Sequence, residues 1–336
     1  MKKILSIILS ILIISTLILS GCGGNASSNS ASAPSSDSVK LGIVQIVEHP
    51  SLDAARQGFL DLLAENGYKE GENLVVNYEN AQGDIPTLNS IAQNLANDKP
   101  DLILAIATPS AQAVANATKG TSIPVLFTAV TDPVAAGLVE SMDKSNTNLA
   151  GTTDMAPIRE QIQLIKDIDP SVKTVGVIYN SGEVNSVVQV DLVKHIAKDL
   201  ELNVVEAVAT NSSEVDQAAK SLVGKVDAIY VPTDNVAVTA LEAIIQVAEA
   251  NKILLVSAEK DSVNRGTVAT IGLDYYKLGR QTGEMALKIL SGEAKPQDMS
   301  VESQKDVDII INLKAAKAMN VTIPQELLDK AAEVIE

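Results

Sequence analysis

The sequence predicts an α/β protein made of two similar lobes, each built on a parallel sheet. Short aliphatic runs alternate with longer amphipathic segments along most of the chain, an order typical of parallel sheets covered by helices. The segment DLILAIATPS (101–110) is echoed by VDAIYVPTDN (226–235), and each passes from an Asp through an apolar strand to a polar helix start. With 336 residues, 46% of them hydrophobic, the chain is long enough for two cores.

The segment 101–110 organises the first lobe. Its aliphatic run is bounded by Pro100 and Pro109 and has strand length, which predicts a strand buried on both faces. A hydroxyl residue able to cap, followed by a proline in the first turn, then predicts a helix over 110–117. Polar side chains are therefore expected where this strand ends.

The first lobe is expected to open with a strand over 39–47 and a helix over 51–66 that ends at Gly67. The remaining elements predicted for this lobe are a strand over 73–78, a helix over 85–96, the strand and helix of 101–117, a strand over 124–129, a short helix after Pro133 and a strand over 148–152 that leaves the lobe.

The second lobe is expected to repeat this order. Its predicted elements are helix 157–168, strand 174–179, helix 183–200, strand 203–207, helix 214–222, strand 226–231, helix 236–250, strand 253–257, return strand 267–272, helix 274–290 packed back on the first lobe, strand 307–313 and helix 314–319. With crossings near 150, 271 and 296, the N-terminal lobe comprises 39–151 plus 272–296 and the C-terminal lobe 152–271 plus 297–336.

The first 38 residues predict export and anchoring. Lys2 and Lys3 precede an apolar run from Ile4 to Leu19 that is too short to span a bilayer comfortably. The following Leu-Ser-Gly-Cys resembles the lipobox of bacterial lipoproteins, which implies a signal peptide over 1–21 and lipidation of Cys22; the alternative is an ordinary signal peptide. Residues 22–38, rich in Gly, Ser, Ala and Asn, indicate a flexible tether. The protein is thus expected on the extracellular face of the cell membrane.

Charge and motifs narrow the function. A formal charge of −16 argues against nucleic acid and against a polybasic membrane patch. The sequence has no phosphate loop, GxSxG, HExxH or CxxC motif, and its two histidines lie far apart. Residues 257–260 match SxxK formally, but at a strand end and without a companion motif. We therefore expect a binding protein without catalytic residues, metal or cofactor.

The candidate site is read from the strand ends, because ligands of open α/β sheets bind outside the carboxyl ends of the strands. Ser257 and Glu259 also follow a predicted strand. The candidate ligand-binding residues are Gln45, Glu48, His49, Thr108, Pro109, Ser110, Ala129, Val130 and Asp132 in the first lobe, and Tyr179, Asn180, Glu183, Asn185, Thr233, Asp234, Asn235 and Ala258 in the second.

These residues suggest a ligand with two poles. Helix N-termini at Ser51, Ser110 and Val236 suit a carboxylate, and Asp234 with Glu183 suits an ammonium group, so an amino acid is a natural ligand. It is equally open that the acidic and hydroxyl residues only cap helices. A histidine and a tyrosine each allow two interpretations as well: His49 either bonds backbone or touches the ligand, and Tyr179 either fills the core or stacks on the ligand.

The chain from Gly42 to Pro324 resembles the substrate-binding lipoproteins of a Gram-positive ABC importer family associated with tryptophan and tyrosine uptake. The resemblance is carried by GIVQIVEHPSLDAARQGF, YENAQGD, DLILAIATPSAQA, PVLFTAVTDPVAAGLV, TVGVIYNSGEVNS, VDAIYVPTDNVAV, GLDYYKLGRQTGEMALKIL and INLKAAKAMNVTIP.

This resemblance implies two Rossmann-like lobes joined by a three-stranded hinge, the fold of type I periplasmic binding proteins. It also implies a monomer that captures a small ligand, most naturally an aromatic amino acid, and delivers it to an ABC permease in the membrane. The competing functions are a surface adhesin or ligand sensor with the same fold, and import of a different small solute.

Overall fold

The computed structural model describes residues 38–336. The predicted signal peptide, Cys22 and the tether up to residue 37 lie outside the described residues. No helix within 38–336 is long and apolar enough to cross a membrane.

Strands and helices alternate through the described chain. The strands are β1 Val39–Gln45, β2 Leu74–Asn80, β3 Leu102–Ile106, β4 Val125–Thr128, β5 Leu149–Thr153, β6 Thr174–Tyr179, β7 Asn203–Val208, β8 Ala228–Val231, β9 Leu254–Ser257, β10 Ala269–Gly272, β11 Glu302–Ser303, β12 Asp308–Asn312 and β13 Glu333–Ile335. The helices are α1 Pro50–Glu65, α2 Ile85–Asn97, α3 Thr108–Ala117, α4 Ile158–Ile168, α5 Val184–Asp199, α6 Val215–Leu222, α7 Asn235–Thr239, α8 Leu241–Asn251, α9 Lys260–Arg265, α10 Tyr275–Leu290, α11 Leu313–Ala318 and α12 Gln325–Lys330.

Two sheets confirm the predicted α/β fold with two lobes. The first has the strand order β11-β5-β4-β3-β1-β2, and its strands all pair in parallel. The second has the order β13-β12-β10-β9-β8-β6-β7 and is parallel except where β12 pairs antiparallel with β10. All five residues of β3 are buried, as expected for a strand covered by helices on both faces. Each sheet has its own apolar core.

The chain passes between the two sheets three times: after β5, after β10 and after β11. The third crossing differs from the expected one at 296, because Glu302 and Ser303 still pair with the end of β5 in the first sheet. This two-residue polar strand has no apolar pattern from which it could be predicted. We keep the division into lobes as a proposal, with the third crossing moved beyond Ser303.

Two predicted helices differ from the structure. The segment after Pro133 forms turns rather than a helix: Asp132 accepts the backbone N–H groups of Val134 and Ala135, and Gly137 then turns the chain with a φ of 72°. The helix predicted over 236–250 is divided into α7 and α8 at Ala240, whose φ of −106° and ψ of 28° are not helical. Both differences are local and leave the strand ends in place.

Helices α1 and α10 of the first lobe touch backbone to backbone through glycines. A Cβ atom on Gly279 would lie 1.9 Å from the carbonyl oxygen of Ala55, and one on Gly58 would lie 2.1 Å from that of Tyr276. Gly283, one turn further along α10, faces the side chain of Leu62 instead, where a Cβ atom would lie 2.7 Å from Leu62 Cδ2. Any side chain at Gly279 or Gly58 must push the helices apart.

We therefore expect Gly279→Ala to destabilise the protein by about 2–3 kcal/mol, the range found for overpacked cores. The matched control is Glu284→Ala on the exposed face of the same helix, which should change stability by no more than about 0.5 kcal/mol. Urea unfolding followed by circular dichroism measures both. Equal urea midpoints of unfolding for the two variants would contradict this prediction, because they would show that a side chain at Gly279 does not lower the free energy of unfolding.

Candidate ligand-binding site

The two lobes enclose a cavity at the carboxyl ends of their strands, which we call the inner chamber. The space between its lining atoms measures about 230 Å³, including space open to solvent. Its lining combines small or apolar residues with buried polar ones: His49, Leu52, Ala107, Thr108, Ala129, Thr131, Asp154, Asn185, Thr233, Asn235, Glu259 and Tyr275. Both lobes contribute, so the chamber exists only while they are closed on each other.

Buried polar contacts across the gap hold this closed arrangement. The Ser51 hydroxyl of α1 donates to Glu259 Oε2 in the second lobe over 2.8 Å, and both side chains are buried. The hydroxyls of Thr131 and Thr233 lie 3.4 Å apart. Closure therefore buries a carboxyl group against the opposite lobe.

Several buried polar atoms at the chamber have no hydrogen-bond partner. Within residues 38–336 there are five such side-chain atoms, and three belong to lining residues: His49 Nδ1, Thr108 Oγ1 and Asn185 Oδ1. A fourth, Ser110 Oγ, lies two residues beyond Thr108. Leaving a buried polar group without a hydrogen-bond partner costs about 1–3 kcal/mol of stability. Several such atoms around one cavity therefore indicate a surface that binds a ligand.

The N-terminus of α3 forms one pole of the chamber. No side chain caps this helix, and the residue before it, Ala107, has a φ of 76°. Ala129 at the end of β4 has a φ of 57° and also lines the chamber. Such left-handed backbone is rare outside glycine and clusters at functional sites. Together with the free hydroxyls of Thr108 and Ser110, this helix N-terminus suits a small anion.

Carboxyl groups form the other pole. Asp154 lines the chamber directly after β5, where Oδ2 accepts the Tyr275 hydroxyl over 2.6 Å and Oδ1 accepts that of Thr131 over 3.1 Å. Burial raises the pKa of Asp154. Glu259 lines the chamber from the second lobe, and burial raises the pKa of its carboxyl group to about 8. The chamber is thus suited to a cationic group.

A second acidic pair lies behind the chamber wall. Glu183 Oε2 accepts the side-chain amides of Asn235 over 2.5 Å and Asn185 over 3.3 Å. Burial, and next the charge of Asp234, raise the pKa of Glu183 to about 7. Its amide partners, rather than the carboxyl group itself, line the chamber.

Asp234 lines neither the chamber nor the wider opening outside it, and its carboxylate accepts hydrogen bonds from neighbouring residues. Oδ1 accepts the N–H of Ala237 and so caps α7, while Oδ2 accepts the N–H of Asn180 and the Ser186 hydroxyl, each over 2.6 Å. The geometry thus favours helix capping for Asp234. The carboxyl groups placed to bind a cation are instead those of Asp154 and Glu259.

His49 stands where the two lobes meet. It faces Asn235 and is buried, and this burial, with the charge of Arg265 adding to it, lowers the pKa of the imidazole to about 3. The ring is therefore neutral at physiological pH. Its free Nδ1 favours contact with the ligand over a purely structural role in the loop.

The predicted residues divide into three groups. Those that line the inner chamber are His49, Thr108, Ala129, Asn185, Thr233 and Asn235. Asn180 and Glu183 line a wider opening outside it, which also includes Asn235. The remaining predicted residues line neither space: Gln45, Glu48, Pro109, Ser110, Val130, Asp132, Tyr179, Asp234 and Ala258.

Most of that last group makes other contacts. Gln45 donates to the Val47 carbonyl and to Asp53, and Glu48 accepts the hydroxyl of Tyr78 at the surface. The Tyr179 hydroxyl donates to Glu206 at the edge of the second sheet. These residues follow strands, but their side chains make local hydrogen bonds and do not line the chamber.

Sequence reasoning missed five lining residues: Leu52, Ala107, Thr131, Asp154 and Tyr275. Thr131 and Asp154 follow β4 and β5 within three residues, so the strand-end rule could have found them. Asp154 is missed because β5 is interpreted only as the strand by which the chain leaves the first lobe. Tyr275 likewise follows β10 by three residues, and it escapes the rule because β10 is interpreted only as a return strand.

The wider opening, which we call the outer groove, lies between the loops after β1 and β2 and those after β6, β7 and β8. It measures about 1120 Å³, including space open to solvent. Its lining is Ile46, Val47, Gln82, Gly83, Ile85, Asn180, Ser181, Gly182, Glu183, Thr210, Asn211, Ser212, Asn235, Val236 and Thr239.

Two α/β lobes that close on a buried polar chamber define a solute-binding protein. The chain belongs to the family of ABC transporter substrate binding proteins, whose model matches residues 40–335. This confirms the predicted family and the role as the substrate-binding component of an ABC transporter.

Named relatives agree with this assignment. The chain is 46% identical over 323 residues to a tyrosine-binding protein of Clostridioides difficile, covering 95% of this chain and 92% of the relative. It is 35% identical to an ABC domain from Streptococcus pneumoniae solved in complex with L-Trp, with a TM-score of 0.85 and coverage of 89% and 100% of the two chains.

A third comparison bears on the arrangement of the lobes. A ligand-free, open substrate-binding protein with adhesive properties from Clostridium difficile is 48% identical, with coverage of 88% and 99%, yet its TM-score is only 0.66. Higher identity with a lower score is expected when similar lobes are oriented differently. The lobes of the present structure are thus arranged as in the L-Trp complex rather than as in the open, ligand-free protein.

Proposed function

We propose that this protein captures a free aromatic amino acid, tryptophan or tyrosine, between its lobes and delivers it to the permease of an ABC importer. One observation carries the amino-acid assignment: the closed chamber buries the carboxyl groups of Asp154 and Glu259 together with an uncapped helix N-terminus that bears free hydroxyls. A zwitterion supplies the matching cation and anion.

In this proposal the ligand's ammonium group binds Asp154, with Glu259 beside it, and its carboxylate binds the N-terminus of α3 at Thr108. Amides of Asn185 and Asn235 and the imidazole of His49 complete the contacts. The tyrosine-binding relative and the L-Trp complex support an aromatic side chain. Because ligand atoms bridge both lobes, binding shifts the equilibrium toward the closed form, which then docks on the permease.

The location and the chemistry follow from the same proposal. We propose that Cys22 carries the lipid anchor and that the folded part lies on the extracellular face of the membrane, tethered by residues 22–38. The ligand is released unchanged, without a cofactor. The intact mass of detergent-extracted protein tests the anchor, since a mature chain that retains residues 1–21 would contradict it.

Calorimetry on residues 38–336 tests the ligand assignment. We expect L-tryptophan or L-tyrosine to bind with micromolar or tighter affinity. Tryptamine lacks the carboxylate and indole-3-propionate lacks the ammonium group, so each should bind at least about tenfold more weakly, because either leaves one buried pole unpaired. If tryptamine bound as tightly as tryptophan, the N-terminus of α3 would not be the site of the ligand's carboxylate. If no amino acid gave a heat of binding, the ligand would not be an amino acid.

An adhesive role is the second candidate function, and the adhesive properties of one relative favour it. Adhesion would use the outer surface rather than the chamber. A host-cell binding assay with the Asp154→Asn variant separates the two roles, since adhesion should survive a substitution that abolishes amino-acid binding.

A further inference from the structure

The outer groove differs in chemistry from the inner chamber. The first lobe lines it with Ile46, Val47 and Ile85, and the second lobe adds Val236. Ile85, in the first turn of α2, is 49% exposed, although isoleucine is usually buried. Grouped with the other three side chains, it gives the groove an apolar wall that can pack against an apolar part of a ligand.

The groove and the chamber are neighbours. Asn235 lines both spaces, and its amide is held by Glu183, which lines the groove. A ligand that extended past Asn235 would reach from the chamber into the groove. The groove remains open to solvent although the lobes are closed.

We infer that the outer groove receives the side chain of the bound amino acid, while the chamber holds its ammonium and carboxylate groups. This inference rests on the proposed function and adds the residues that select the side chain, Val47 and Ile85. A polar inner site beside a groove with one apolar wall fits an amphiphilic zwitterion with a large apolar side chain. An acidic side chain would lose hydration against Val47 and Ile85 and would meet the carboxyl group of Glu183 in the same groove.

Because the groove is open to solvent, we expect it to discriminate only weakly between ligands with different aromatic rings. An enclosed pocket rejects ligands by shape, whereas this groove accepts an aromatic ring on its apolar wall and leaves the far edge of the ring in water. Ring-substituted tryptophans, such as 5-hydroxytryptophan, should therefore bind within about threefold of tryptophan. The transported class is then aromatic amino acids with varied rings.

Substitutions in the groove test this assignment in residues 38–336, which contain both cores. We expect Ile85→Ser and Val47→Ser each to weaken tryptophan binding about tenfold, because each removes apolar surface from under the ring. Val75→Ser is the matched control: Val75 is 39% exposed in the same lobe but lies outside the groove. Thermal unfolding checks that all three variants fold.

A second measurement needs no variant. The protein contains no tryptophan, so the fluorescence of bound tryptophan reports on the ligand alone. If the ring lies in the open groove, acrylamide, a neutral quencher, should quench bound tryptophan within about threefold of its rate for free tryptophan; enclosure in the chamber would protect it more than about tenfold. Such protection would overturn the inference, as would groove variants that bind like Val75→Ser. The proposed function itself fails only if wild-type protein binds no amino acid.

Discussion

Replacing Asp154 with Asn is expected to weaken tryptophan binding several hundred-fold. Asp154 is a buried carboxyl group that lines the chamber and is held by Tyr275 and Thr131. Asn keeps the shape but removes the charge that faces the ligand's ammonium group. Truncating one partner of a buried charge pair costs about 2–5 kcal/mol, of which we expect roughly 3–4. Calorimetry at neutral pH measures the loss.

Asp132→Asn is the matched control for this charge. Asp132 also follows a strand of the first lobe, but its carboxylate accepts backbone N–H groups of an adjacent turn and lines neither space. We expect its variant to bind within about twofold of wild type. Comparable affinities for the Asp154 and Asp132 variants would mean that the ammonium group binds elsewhere, with Glu183 as the next candidate.

Ligand binding is expected to take up a proton at neutral pH and to weaken as the pH rises from about 6.5 to 8. Closure buries Glu259 against Ser51, and this burial raises the pKa of Glu259 from its ordinary 4.5 to about 8. Asp261 and Asp154 add negative charge beside it, and Arg265 opposes them. One ammonium group neutralises one carboxylate, so the second carboxyl group of the pair, Glu259, binds a proton.

The direction follows from linkage. Below pH 4.5 the open form is already protonated at Glu259, and closure costs nothing there. Between 4.5 and about 8 the closed form holds a proton on Glu259 that the open form lacks, and above about 6.5 affinity therefore falls by up to about tenfold per pH unit. Below 6.5 the burial of His49, which lowers the pKa of its imidazole to about 3, releases a proton on closure and opposes this trend. Above 8 both forms are ionised and the dependence ends. The raised pKa values of Glu183 and Asp234 act in the same direction wherever closure changes their burial.

Titrations in two buffers of different ionisation enthalpy count the proton directly. Glu259→Gln keeps an acceptor for Ser51 and cannot titrate, so we expect proton uptake near pH 7 to fall by about one and the pH profile to flatten. Ser51→Ala serves as the comparison, since it weakens the contact between the lobes without removing the titrating group. Unchanged proton uptake in Glu259→Gln would exclude this carboxyl group as the source.

Most strands could be predicted because parallel strands buried on both faces appear in the sequence as short aliphatic runs, as β3 and β8 do. The strand-end rule selects Thr108, Asn185 and Asn235, which line the chamber in the structure. It also selects Asp234 and Asp132, which cap backbone N–H groups instead, and local sequence does not separate these two uses of an acidic residue at a helix or turn start. Tyr275 follows β10 by three residues and is missed because that strand is interpreted only as a crossing between the lobes.

The glycine contact between α1 and α10 affects the shape of the ligand site as well as the stability of the protein. Helix α1 begins beside His49, Ser51 and Leu52, and α10 begins at Tyr275, so both helices start at the wall that meets the ligand. Because they touch without intervening side chains, neither can slide or tilt without displacing its neighbour. A homologue that acquired bulk at Gly279 would have to reshape that wall as well, so interhelical spacing and ligand choice can only evolve together.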